Sequence, residues 1–175
     1  GDKFLNQDLN PWGTGENTNI VYLEIDKDTY QNANITKTDF FKMVDNELTA
    51  LPHFGLNDAD IVYEMMNSTK NGRITRFMAL VKDWESIEQL GSIRSVRPTN
   101  ILLAAEWNAI LCHDGGPFYI DAYMAEPYID NFSGLFSRVD NGKAREFTEY
   151  IMPGDLEKAF SNNSSISKEY NEILE

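Results

Sequence analysis

The stretch Gly91-Ser92-Ile93-Arg94-Ser95-Val96-Arg97-Pro98 sets two guanidiniums three residues apart, with a hydroxyl between them, at what reads as the start of a helix. A helix N-terminus already carries roughly half a positive charge from its unpaired amides, so further cations there repel unless a carboxylate or a bound anion lies between them. The chemistry on offer is forked donation by Arg94 and Arg97, with Ser95, to a phosphate or carboxylate. The competing reading is an internal salt bridge to some of the 28 acidic residues.

Other side chains invite the same comparison. Arg76 falls on the face of a predicted strand shared by Ile74, Met78 and Leu80, so it needs a carboxylate, and Asp60 or Glu64 on the preceding strand is expected to supply it. Glu64 could instead act as a general acid or base. His113 ends a predicted strand beside Asp114 and the Gly115-Gly116 turn, where a general base or phosphate contact would sit; a histidine satisfied by a backbone carbonyl is the alternative. Cys112 points to the opposite strand face from His113, which rules out a nucleophile–base dyad within that strand and makes it a buried, inert thiol. Trp84, Trp107, Phe77 and Tyr63 read as core or core edge.

The elements that position these residues follow from pattern. Residues 1–18 are an irregular, Asn- and Gly-rich lead-in, and 19–26 read as a strand. Residues 36–51 fit a helix or a short strand equally, and Pro52 ends either. The runs 60–66 and 73–81 flank an Asn-Gly turn and form an antiparallel hairpin. Residues 98–107 form a helix with Pro98 in its first turn. A buried strand follows at 109–113, closed by Asp114-Gly115-Gly116-Pro117. Residues 117–130 are expected to be partly helical, 131–146 a polar loop, and 153–175 one or two helices split by 161–165. The fold class is α/β (α+β): a mixed sheet including an antiparallel hairpin, flanked by helices. Residues 19–160 form a single domain, with 161–175 a terminal helix or linker.

Composition narrows the function. With 42% hydrophobic residues the chain buries a sizeable core, and a net charge of −13 argues against nonspecific nucleic-acid binding or a polybasic membrane contact. One cysteine excludes an internal disulfide, and two histidines leave no zinc-type ligand set, so neither metal nor cofactor is expected, although the acids could still form a calcium or magnesium site without EF-hand spacing. No apolar run approaches the ~18 residues of a membrane-spanning helix.

A set of ordered motifs resembles the YerB-like lipoproteins, a bacterial cell-envelope family that carries a domain of unknown function. They are Met43-Val44-Asp45-Asn46, Ala50-Leu51-Pro52-His53-Phe54-Gly55-Leu56, Ala59-Asp60-Ile61-Val62-Tyr63-Glu64, Ile74-Thr75-Arg76-Phe77-Met78-Ala79, Gly91 to Pro98, and His113-x-Gly115-Gly116. The resemblance implies a strand over 41–44. It also implies an exported, extracytoplasmic protein anchored to the membrane through a lipidated cysteine outside this sequence, with a second, C-terminal domain as partner. Phe136-Ser137-Arg138 resembles a family segment that leads to Pro-His-Asn, but this chain reads Glu146-Phe147-Thr148-Glu149 there, without the histidine.

Three functions are therefore expected to compete. The first is an envelope binding module holding an anionic ligand or partner segment on Arg94, Arg97, Arg76 and Arg138. The second is an enzyme on a phosphorylated cell-wall precursor, similar to the LytR-CpsA-Psr phosphotransferases, with Glu64 or Asp114 holding a metal and His113 assisting. The third is a structural or protein-interaction domain in which the arginines only hold the fold.

Overall fold

A computed structural model describes residues 40–69, 73–82, 84–127, 129–164 and 166. The lead-in, the 19–26 strand, the hairpin tip at 70–72 and the chain after 166 lie outside the described residues. Strand β1 (Phe40–Asp45) settles the ambiguity of 36–51 in favour of a strand, and all six of its residues are buried. Such complete burial erases the alternation that marks a half-exposed strand, which is why its periodicity pointed equally to a helix.

Strands β2 (Ile61–Ser68) and β3 (Ile74–Val81) form the expected antiparallel pair. β2 alternates because its outer face meets solvent: Ile61, Tyr63 and Met65 are partly buried, while Val62, Glu64 and Met66 are exposed. With β1, β5 (Ile110–His113) and β6 (Asn131–Ser133) they make a five-stranded sheet in the order β2-β3-β1-β5-β6. β3 pairs antiparallel to β1, whereas β5 and β6 run parallel to β1. A smaller antiparallel sheet holds β4 (Leu90–Gly91), β8 (Glu149–Ile151) and β7 (Ser137–Arg138), in that order. β6, β7 and a 3-10 turn at Arg145–Phe147 occupy the stretch expected to be a polar loop. Their strands are two or three residues long and take their stability from tertiary pairing, so they leave no periodic signal.

Side chains alternate across β1. Phe41 and Met43 pack with Met78, Leu80 and Leu111 under helix α1 (Pro98–Glu106), through Ile101 and Ala104, and under Ile120. Phe40 faces the other way, with Cys112, Phe132 and Val81, toward Leu90 and Ile151 of the small sheet and Phe160 of helix α3 (Asp155–Asn162). A short helix α2 (Asp121–Met124) completes the partly helical 117–130 stretch. Trp84 is core, and Trp107, Phe77 and Tyr63 are half-buried at its edge. None of the described helices is long and apolar enough to cross a membrane.

α1 starts and stops for local reasons. Pro98 takes the first helical position, and the Asn100 side chain accepts the Arg97 amide at 2.9 Å. At the other end Asn108 adopts φ 47°, and the Asn108 and Ala109 amides donate to the Ala105 and Ala104 carbonyls, each at 3.0 Å.

One glycine is fixed by close approach. Gly91 holds φ 150° where β4 meets both β8 and Phe54, and a Cβ there would stand 2.8 Å from the Tyr150 ring and 3.0 Å from the Glu149 carbonyl oxygen. Gly91→Ala is expected to cost more than about 1 kcal/mol, read as a lower urea midpoint at unchanged slope. A midpoint equal to wild type would show that this crossing tolerates a side chain.

Candidate functional site

The segment 92–97 lies across the carboxyl ends of the two parallel strands β1 and β5. The Arg94 amide donates to the Met43 carbonyl at 2.8 Å, the Asp114 amide to the Arg94 carbonyl at 3.0 Å, and the Val96 amide to the Gly115 carbonyl at 3.1 Å. In open sheets of this kind ligands bind outside the carboxyl ends of the strands. Arg94 precedes the helix, and only Arg97 sits at its N-cap, so one of the two arginines, not both, stands at the helix start.

Arg94 is neutralised within the protein. Its Nε lies 2.7 Å from Asp45 Oδ2, an ion pair without an aligned hydrogen bond, and Asp45 is fully buried. Its NH1 donates to Glu146 Oε2 at 2.8 Å and to the Glu146 carbonyl at 3.0 Å, and the guanidinium stacks 4.8 Å over the Phe147 ring.

Arg76 and Arg97 are different. Both donate to Ser95 Oγ, at 3.1 and 3.3 Å; Arg76 also donates to the Ser95 carbonyl, and Arg97 to the Val96 carbonyl at 2.9 Å. No carboxylate among the described residues lies within ion-pair distance of either. The expected partners of Arg76 are engaged elsewhere: Glu64 accepts from Thr75 at 2.7 Å and Asn46 at 3.1 Å, and Asp60 accepts the Lys82 amide at 2.9 Å. The register explains this. Arg76 sits opposite Met65 on β2 and Asp45 on β1, so Glu64 points to the other face. Arg76 is 4% exposed with its Nε unpartnered, and burial, then Arg94 and Arg97, push its pKa down to about 10. Burial, opposed by Tyr119 and reinforced by Arg94, also lowers that of Arg97.

A second cluster forms where β5 meets the small sheet. Arg138 NH2 bridges Asp114 Oδ2 at 2.8 Å and Glu149 Oε2 at 2.7 Å, and Glu149 Oε1 accepts the Phe136 amide at 3.2 Å. Burial, reinforced by a hydrogen bond to Asp114, pushes the fully buried Glu149 carboxyl up to about 7. Burial would raise Asp114 as well, but hydrogen bonds to Glu149 and Arg138 outweigh it and hold Asp114 below its ordinary value. A proton shared between the two carboxyls would therefore favour Glu149.

His113 stands apart from both clusters in function. Its Nδ1 lies 2.8 Å from the Gly115 carbonyl and its Nε2 3.2 Å from the Asn131 side-chain amide, while burial lowers its pKa. Both ring nitrogens are therefore engaged in tying β5 to the glycine turn and to β6. Glu64, on the edge strand, is three strands from β5 and the residues of its carboxyl end. No three His, Cys, Asp or Glu side chains gather as a metal site among the described residues.

Asp45, Glu146 and Glu149 were missed in the sequence. Asp45 lay inside a quoted motif, and its place beside apolar residues was the available signal. Glu149 carried none, because a strand of three residues does not announce which face is buried.

Arg94→Ala leaves Asp45 buried without its counter-ion and is expected to destabilise by ~3–5 kcal/mol in urea titration, with Asp45→Asn/Arg94→Ala recovering part of the loss. The Glu149 proton gives a pH signature. Its folded pKa of about 7 lies above the ordinary 4.5, so the native state binds more protons between those values and this contribution to stability falls as pH rises across them. Glu149→Gln is expected to melt closer to wild type, or above it, at pH 8 than at pH 5; parallel melting curves at both would count against the shared proton.

The comparisons with known proteins agree with this architecture. The model of a family described as protein of unknown function (DUF3048), N-terminal domain, matches residues 29–167. The fold is similar to the crystal structure of the YerB protein from Bacillus subtilis, with a TM-score of 0.64 and 25% identity over 73% of this chain. The aligned region takes in 44% of the YerB chain, so this sequence spans less than half of that relative. No curated protein matches it. Both residue clusters fall inside the matched span, and the chain belongs to the YerB-like DUF3048 family through its N-terminal domain.

Proposed function

We propose that this domain is a binding module for an anionic group, taken up by Arg76, Ser95 and Arg97 at the carboxyl ends of β1 and β5. The observation that carries the reading is the pair of guanidiniums sharing one hydroxyl with no described carboxylate within ion-pair distance of either, Asp45 and Glu47 acting on Arg76 only from farther off. Crowding two cations against Ser95 costs free energy in the empty protein, and an anion between them would recover it. Ser95 Oγ accepts from both arginines, which leaves its proton to donate outward. The same proposal sets the module in the cell envelope, tethered by a lipid anchor and continued by a second domain, a reading supported by the resemblance of its motifs to the YerB-like lipoproteins.

The phosphotransferase-like alternative has less support. Glu64, His113 and Asp114 do not converge, and His113 is occupied on both nitrogens. The purely structural reading fits Arg94 and Arg138, which are paired internally, but gives no account of Arg76 and Arg97.

Ligand binding raises the melting temperature by mass action. Phosphate and pyrophosphate, titrated at constant ionic strength, are expected to raise that of the wild type. Arg97→Gln, which breaks no ion pair, is expected to fold normally and lose most of the shift. A shift of equal size in Arg97→Gln and in Ser95→Ala would remove this cluster as the anion site.

A further inference from the structure

We infer that the anion held by Arg76, Ser95 and Arg97 is carried on a ring, and that Phe118, Tyr119 and Tyr123 are the surface against which that ring packs. The inference rests on the anion site proposed above and names the class of compound that would fill it.

The aromatic turn is fastened directly to the arginine segment. The Val96 amide, between Ser95 and Arg97, donates to the Gly115 carbonyl at 3.1 Å. Gly116 follows, and its lack of a side chain lets Ile120 close down: a Cβ there would meet Ile120 Cδ1 at 2.2 Å and Val96 Cγ1 at 3.4 Å. Ile120 is thereby the inward residue of its turn, 4% exposed, and its neighbours are turned out. Phe118 is 86% exposed, Tyr119 52% and Tyr123 40%. Tyr119 lies near enough to Arg97 for its phenol group to influence that guanidinium.

Single exposed apolar residues are ordinary, but three aromatics within six positions, joined through Tyr119 to an arginine with no described ion pair, are not scattered. Phe118 in particular gains little from folding. The Phe118 and Tyr119 rings meet edge to face, with centroids 5.6 Å apart and planes at 77°, so they present a corner instead of a flat wall. A flat or puckered ring can lie on one face while the other ring flanks its edge. Charge then selects what the ring bears: in a protein of net charge −13, the guanidiniums of Arg76 and Arg97 favour an anion at this end. The chemistry that satisfies both features is a phosphate ester of a ring, either a sugar phosphate or a nucleoside monophosphate.

Isothermal titration at constant ionic strength with inorganic phosphate, glucose 1-phosphate and adenosine monophosphate separates the cases. At least one ester is expected to bind about tenfold or more tightly than inorganic phosphate, the range that stacking on one aromatic ring supplies, and which ester does so identifies the ring. In Phe118→Ser/Tyr119→Ser that advantage is expected to collapse to within about twofold while inorganic phosphate affinity is retained; Tyr119→Phe is expected to keep it. Esters that bind no better than inorganic phosphate, or an advantage that survives the double variant, would overturn the ring surface and leave the anion site standing. Absence of binding by phosphate and both esters would overturn the anion site and the inference with it. Concentration-dependent sedimentation abolished by Phe118→Ser would assign the patch to a second copy of the chain and also overturn the inference.

Discussion

Asp45 is a carboxylate with no access to solvent, and a charge so placed must be matched by another at contact distance. Arg94 supplies it from a segment some fifty positions away in the chain, and much of the remaining architecture follows from that meeting. To reach Asp45, residues 92–97 must run across the ends of β1 and β5, tied by amide hydrogen bonds to Met43, Asp114 and Gly115. Glu146 and Phe147 close over the outer side of the same guanidinium, which couples the small sheet to the large one. One ion pair thus sets the path of the segment that also bears Ser95 and Arg97.

Once the segment is fixed, the four arginines divide into two kinds. Arg94 and Arg138 each bridge two carboxylates and hold elements together. Arg76 and Arg97 are brought to one hydroxyl with no described acid at ion-pair distance, an arrangement that a purely architectural role would not favour because like charges in a half-dry site repel. The asymmetry is notable in so acidic a chain, where 28 acids face 15 bases and acidic partners for arginine are plentiful.

The carboxyl pair is the counterpart of this arginine pair. Asp114 and Glu149 set two acids against the single Arg138, and burial beside Asp114 pushes Glu149 toward its protonated form. Lys42 is relieved in a similar way: buried with its ammonium 5.7 Å from the Phe40 ring and no hydrogen-bond partner, it is pushed down to about 8, with Cys112 opposing. These groups make the fold's stability depend on pH near neutrality, while the exposed charges contribute mainly through screening by salt.

Elements with local signals are legible in the chain: alternation and the Asn-Gly turn delimit the β2–β3 hairpin, Pro98 starts α1, the apolar run before His113 marks β5, and ordered motifs point to the family. The chain also marks Arg94, Arg97 and Arg76 as residues in need of negative partners, but which partner each receives is settled by contacts between distant segments. Register across β3 turned Arg76 away from Glu64 and toward Asp45, and the crossing of 92–97 gave Asp45 to Arg94 instead. The small sheet, with Glu149 at its centre, was invisible because strands of two or three residues exist only through pairing with distant chain. Propensity and spacing act over one turn or one pleat; charge neutralisation acts over contact distance in space, and no reading along the chain measures that distance.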